Sequence, residues 1–302
     1  MQPDAAGHAG GRASLGRPLL TALLPILLFV GAFGVIAGNV VRPGRLGTLD
    51  RSVDEALQQH TETAATGKSF FKAVSKLGHS PTMGVLAGLA ALVLLPAGQR
   101  VLAAVILLGL FANVPIDSGL KEWFQLERPP PPHGHVGRQS WGFPSGHALG
   151  STVGYGLLGY VVVVFGCRRR WTRAAVVIAL GVVVLLIGFS RMYLHAHYLS
   201  QVLGGFAAGA AWLVVCIAVL EELRRRLPVG AVQPGRPGWL LDGFALGGTV
   251  CLVAWLAIEL VLGWFGRAVD LRWWADGLVF VAGGVLGLIA SVIYVRGTRQ
   301  AG

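Results

Sequence analysis

Three short stretches of the chain hold side chains suited to chemistry on a phosphate: Lys121 with Arg128-Pro129, then Pro144-Ser145-Gly146-His147, then Ser190-Arg191 with His197. They gather three permanent cations and two imidazoles in a chain of which only 13% is charged. Phosphoryl transfer is chiefly a matter of position and of neutralising charge on the equatorial oxygens. Arginine does this with planar paired donors and lysine with a point charge. A neutral imidazole is a competent nucleophile near pH 7. A second imidazole, kept protonated by the adjacent phosphate, can act as general acid. Pro144 and Gly146 fit a turn that opens a helix, whose first amides bind anions, and the Ser145 hydroxyl adds a donor. Taken singly, each stretch has a plainer explanation: a charged helix end, an N-cap, a snorkelling arginine. If the helix bearing Lys121 runs on through Glu127, Lys121 and Arg128 share a face roughly 10 Å apart.

The elements that must carry these residues are membrane helices. Of 302 residues, 54% are hydrophobic, a balance that describes a polytopic membrane protein rather than a soluble domain. About eight apolar runs are long enough to cross a bilayer, near 18–40, 80–97, 100–119, 146–166, 173–190, 198–220, 243–265 and 275–295. The predicted fold is therefore all-α: a six-helix membrane core over 18–220, then a linker and a C-terminal pair of membrane helices over 221–302. With alternating spans the three stretches fall at one side of the membrane. The net charge of +11 does not point to nucleic acid, because the arginines sit in short loops: Arg168, Arg169, Arg170 and Arg173 in one, Arg224, Arg225, Arg226 and Arg236 in another. The positive-inside rule makes that side cytoplasmic, with both termini, and turns the phosphate-handling residues outward. The basic loop 41–79 opposes this assignment without reversing it, since it also carries Asp50, Asp54, Glu55 and Glu62.

Residues 1–17 read as a cytoplasmic disordered tail, and the first run as an uncleaved helix. Segment 50–76 reads as one or two short helices at the outer surface. Pro129 to Pro132 stiffen the loop 126–144, where His133, His135 and Arg138 read as solvated. Among 44 glycines, Gly150 and Gly154, Gly205 and Gly209, and Gly283 and Gly287 have the spacing of close helix contacts, within the chain or in a homo-oligomer. Gly154, Gly156 and Gly159 match a dinucleotide fingerprint, but they lie inside an apolar span with no strand before them. Cys167, Cys216 and Cys251 show neither metal nor disulfide spacing. Glu259 lies within an apolar run, where an acid is a functional suspect.

The order, spacing and helical context of the three stretches, across about residues 100–210, resemble the signature of the type 2 phosphatidic acid phosphatase superfamily, which also includes vanadium haloperoxidases. The resemblance implies that His197 is a nucleophile forming a phosphohistidine and His147 the acid that protonates the leaving oxygen. It implies that Lys121, Arg128, Arg191, Ser145 and the amide of Gly146 hold the phosphate, with no metal or cofactor. In that family an aspartate stands four residues after the nucleophile; here it is Gln201. On a helix Gln201 still shares a face with His197, and its amide oxygen can accept from Nδ1. It brings no negative charge, and a flipped amide would favour the wrong tautomer. Three explanations stand: Gln201 suffices at a reduced rate, another acid such as Asp117 substitutes, or the site binds phosphate without turnover. Asp117 is equally placed to pair with Lys121, and His195 is a stand-in nucleophile that the spacing disfavours. The expected function is a metal-independent phosphatase of membrane lipid phosphates or diphosphates in the bacterial inner membrane. A phosphotransferase, or a noncatalytic lipid-phosphate binder or transporter, is the alternative.

Overall fold

The computed structural model describes residues 17–41, 44–63, 65–130 and 141–226, all helix and connecting turn with no strand among them. The helices are α1 (Arg17–Val41), α2 (Arg45–Thr63), α3 (Ala65–Leu77), α4 (Ser80–Leu94), α5 (Arg100–Phe111), α6 (Asn113–Phe124), α7 (Gly146–Val161), α8 (Arg170–Tyr193) and α9 (Leu199–Arg226), with a π-helical turn over Val162–Gly166 after α7. Five stretches are long and apolar enough to cross a membrane: Pro18–Val41, Val101–Phe124, Gly146–Gly166, Arg170–Tyr193 and Leu199–Arg225. A sixth arises if Gly67–Leu77 and Ser80–Leu94 count together across their 45° bend. These correspond to the first six predicted runs, with one adjustment. At 15 residues, α4 measures about 22 Å, short of the ~30 Å hydrocarbon core, a length that α3 makes up where the two form one span. The tail, His133, His135, Arg138, the linker 227–239, Glu259, Gly283, Gly287, Cys251 and the last two predicted spans lie outside the described residues.

Helix α7 is the axis of the bundle. Leu149, Val153 and Leu157 are buried along it, and it packs against α9, α8, α4 and α5. A Cβ on Gly205 would lie 2.6 Å from the Ser145 carbonyl oxygen, and one on Gly209 would lie 2.8 Å from that of Leu149. These two glycines therefore let α9 lie on the backbone of α7's first turns, a contact within the chain. Outward, α1 presents Leu20, Leu24 and Leu28 and α8 presents Val177, Ile178 and Leu185, all exposed, as lipid-facing side chains would be.

The end of α6, the start of α7, the end of α8 and the start of α9 meet at one end of the bundle, where α2 and α3 also pack. Helix α6 stops at Phe124 rather than continuing through Glu127. Gln125 takes a left-handed conformation (φ 48°) and its N–H closes on the Lys121 carbonyl at 2.9 Å, a left-handed cap that ends the helix. Lys121 is thus in the last turn of α6 while Arg128 lies in the extended segment beyond it, so the two do not share a helical face. Segment 50–76 is helical as expected and exposes Arg51, Glu55, Lys68, Lys72 and Lys76, while Asp50, Asp54 and Ser75 are buried.

Candidate active site

His197 sits in the short turn between α8 and α9 and is 2% exposed. Its Nδ1 lies 2.9 Å from the Gly142 carbonyl oxygen and 3.0 Å from Gln201 Oε1. Both are acceptors, so Nδ1 carries the proton and the lone pair is left on Nε2. Arg128 Nη1 donates to that nitrogen at 3.2 Å and to the Ala196 carbonyl at 3.2 Å. The Gln201 amide has a defined orientation: Nε2 donates to the Glu127 carbonyl at 2.6 Å while Oε1 accepts from Tyr198 N–H at 3.3 Å. A flip would set oxygen against oxygen at Glu127 and N–H against N–H at Tyr198 and His197, so the tautomer-reversing arrangement is excluded. Burial holds the His197 imidazole well below its ordinary pKa, helped by Arg128 and Arg191 and opposed by the bond it donates to Gln201. It is neutral at pH 7.

Ser145 stands at the N-cap of α7 but makes no capping bond. Its Oγ is fully buried without a partner, although a serine here ordinarily caps the helix. Arg191, in the last turn of α8, donates from Nη1 to Ser75 Oγ at 2.5 Å, and its Nε is likewise buried without a partner. Orphaned buried donors are costly, and both of these stand among the cations around the free amides of α7. Arg191, His79, Lys121 and Arg128 all act electrostatically on His147 in the first turn of α7. Lys121 Nζ pairs with Asp117 Oδ2 at 2.5 Å. The Asp117 carboxylate packs against Gly146, where a Cβ would come 2.8 Å from Oδ2. Asp117 is therefore the partner of Lys121 and not the orienting acid of His197. Among the described residues no group of His, Cys, Asp and Glu is arranged to hold a metal ion.

Several contributors were not legible from residue type. The Gly142 carbonyl has no sequence signal, although the close fit does show: a Cβ there would lie 2.5 Å from Gln201 Nε2. Asp50 accepts from Ser200 N at 2.8 Å and Ser200 Oγ at 2.5 Å. Asp54 Oδ1 lies 2.9 Å from His195 Nδ1, whose Nε2 meets Thr61 Oγ1 at 3.1 Å. His195, with φ 52°, thus has both ring nitrogens engaged and is not a stand-in nucleophile. Asp50 and Asp54, one turn apart on α2, grip the two ends of the turn that bears His197. Their i, i+4 spacing was the one available sign.

An oriented neutral imidazole faces cations and orphaned donors at one end of the apolar helix bundle of a polytopic membrane protein, a candidate site for an anion. Residues 100–225 match the PAP2 superfamily. Over 111 residues the chain is 34% identical to phosphatidylglycerophosphatase B of Bacillus subtilis (strain 168), a stretch covering 36% of this chain and 54% of that protein. The match thus spans about half the length of that relative. The fold is similar to the crystal structure of a transmembrane PAP2 type phosphatidylglycerolphosphate phosphatase from Bacillus subtilis, with a TM-score of 0.59 and 24% identity, covering 67% of this chain and 98% of that one.

Proposed function

We propose that this protein is a metal-independent phosphatase of membrane lipid phosphates that works through a phosphohistidine on His197. The observation that carries the reading is the fixed tautomer: Nδ1–H is held by Gly142 O and Gln201 Oε1, so the Nε2 lone pair faces Arg128. In the proposed step Nε2 attacks phosphorus, the bond from phosphorus to the lipid oxygen breaks, and His147 gives that oxygen its proton. Arg128, Arg191, Lys121, Ser145 Oγ and the first amides of α7 hold the three equatorial oxygens. Water then attacks the phosphohistidine, His147 takes its proton, and the bond from phosphorus to Nε2 breaks to release inorganic phosphate. The names of the relatives support a phosphatidylglycerophosphate-like substrate, and the apolar surroundings of the site support an amphiphile.

The arginine-rich turn after α7 (Arg168, Arg169, Arg170) lies at the end of the bundle away from the site. By the positive-inside rule this supports a site open to the outer face of the bacterial inner membrane. The neutral Gln201 is the observation that favours a noncatalytic binder; the intact tautomer favours turnover. Phosphate release from a panel of lipid phosphates decides between them, with trapping of an acid-labile, alkali-stable phosphoenzyme. Release by wild type and none by His197→Ala is expected. Equal release by both sinks the phosphohistidine route, and no release from any substrate returns the binder. Single cysteines in the 126–144 loop should react with external, membrane-impermeant reagent; protection would reverse the orientation.

A further inference from the structure

The α3–α4 junction carries a third imidazole that the mechanism does not use. His79 is exposed, immediately before α4, and its ring centroid lies 5.8 Å from that of His147. The junction is pinned in place. A Cβ on Gly78 would come 2.5 Å from Ile187 Cγ2 and 3.5 Å from His147 Cδ2, so the backbone lies directly on the acid. Tyr155 Oη donates to the Leu77 carbonyl at 3.1 Å and Thr82 Oγ1 to that of Lys76 at 2.7 Å. Those two bonds fix the backbone on either side of the turn, so His79 is presented towards His147 by a rigid support.

In-line transfer fixes where the leaving oxygen lies relative to the two histidines of the reaction. The leaving oxygen must sit opposite the His197 Nε2 attack and within hydrogen-bond reach of His147, roughly 2.8 Å. An exposed imidazole in contact with His147 is therefore within reach of what that leaving oxygen carries. We infer that His79 forms a subsite for a second phosphate carried by the leaving group, either joined directly to the leaving oxygen, as in a lipid diphosphate, or borne further along, as in the diester phosphate of phosphatidylglycerophosphate. Lys72 and Lys76 are exposed on α3, the helix that ends at this junction. An anion docked there gains one charge-assisted hydrogen bond from the imidazole. A leaving group without a second phosphate gains nothing from it. This subsite rests on the phosphatase reading above, since it takes its position from the direction in which the leaving group departs.

The test compares kcat/KM of the wild type, His79→Ala and His79→Lys on three lipids: a polyprenyl diphosphate, phosphatidylglycerophosphate, and phosphatidate, which has no second phosphate. His79→Ala should lower kcat/KM about tenfold on one or both of the first two, the scale of one partly exposed charge-assisted bond, and leave phosphatidate within about twofold. His79→Lys should restore the preference, and the lipid affected tells which placement of the second phosphate is read. An equal fall on all three lipids overturns the proposal and makes His79 a helper of His147; no change on any of them overturns it too. His197→Ala on the same lipids tests the parent reading separately, since loss of release there upholds the phosphatase whatever His79 does.

Discussion

Replacing Gln201 with leucine removes, at nearly constant volume, the amide that lies against His197. Three bonds go with it: to His197 Nδ1 at 3.0 Å, to Tyr198 N at 3.3 Å and to the Glu127 carbonyl at 2.6 Å. The Gly142 carbonyl stays 2.9 Å from Nδ1, so the N–H keeps an acceptor and the lone pair stays on Nε2. The loss to catalysis is then the share of one neutral hydrogen bond, about 0.5–1.5 kcal/mol, or roughly a three- to tenfold lower kcat. That is far from the about 10⁴-fold loss when the orienting acid of a serine-protease triad is replaced and the wrong tautomer results. Stability should fall more than activity. Gln201 is 1% exposed, and the stranded Glu127 carbonyl costs on the order of 1–3 kcal/mol, visible as a lower melting temperature in detergent. The assay is steady-state phosphate release beside thermal unfolding of the same preparation. A loss of activity as deep as that of His197→Ala would refute the reasoning, because it would mean that Gln201 alone sets the tautomer.

The same geometry makes Gln201→Asp unfavourable, although aspartate is what the family pattern has at this place. From this backbone the shorter side chain falls roughly 1.5 Å short of Nδ1. It also brings a carboxylate beside the carbonyl oxygens of Gly142 and Glu127 with no N–H to offer either. Activity below wild type is expected, and a faster Gln201→Asp enzyme would show that the backbone adapts.

Arg191→Lys should lower kcat/KM at least tenfold, because an ammonium cannot hold Ser75 and also present the planar donors now free at Nε; activity unchanged within twofold would remove Arg191 from the site. Asp50→Ala should cost about 1–3 kcal/mol of stability by stranding Ser200 N–H and lower kcat more than it raises KM, since it loosens the nucleophile's turn rather than the phosphate cradle; a pure KM effect would contradict the clamp. The depressed pKa of His197 has a definite sign. Below its ordinary value of 6.5 the unfolded chain binds a proton that the folded chain refuses, so stability drops as pH falls, by up to about 1.4 kcal/mol per pH unit. Melting curves from pH 7.5 to pH 5 should show a steeper fall for wild type than for His197→Gln, and equal slopes would mean that His197 is not the group held neutral.

The parts of the site that sequence could reveal are those where a rare residue type carries the function locally. Arginine, lysine and histidine stand out against an apolar chain, so His147, His197, Arg191 and Lys121 were visible, as were the spans that position them. What stayed hidden depends on contacts between distant segments. The Gly142 carbonyl is a backbone atom that any residue supplies, and its role appears only once the segment before α7 lies against α9. Asp50 and Asp54 sit in a helix of mixed polarity, where carboxylates are ordinarily solvated; their burial follows from α2 folding onto the start of α9. Where α6 ends could not be read from sequence, because Gln125 carries no stop signal of its own; its left-handed turn and the closure of its N–H onto the Lys121 carbonyl show only in the structure.

The distribution of charge about His197 bears on which half of the proposed reaction is slow. Behind the ring, Nδ1–H meets only neutral acceptors, Gly142 O and Gln201 Oε1; in front stand Arg128 and Arg191. Attack on phosphorus leaves positive charge on the imidazole, and without a carboxylate at its back that charge is poorly compensated. The phosphohistidine therefore lies high in energy: harder to form than with a carboxylate in place, and quicker to give its phosphoryl group to water once formed. Asp50 and Asp54, which bond to this turn, are committed to Ser200 and His195, so they fix geometry without supplying the missing charge. In this arrangement the position of His197 is tightly determined while its electrostatic support is weak, and under the proposed mechanism this puts the main barrier at the attack of His197 on phosphorus.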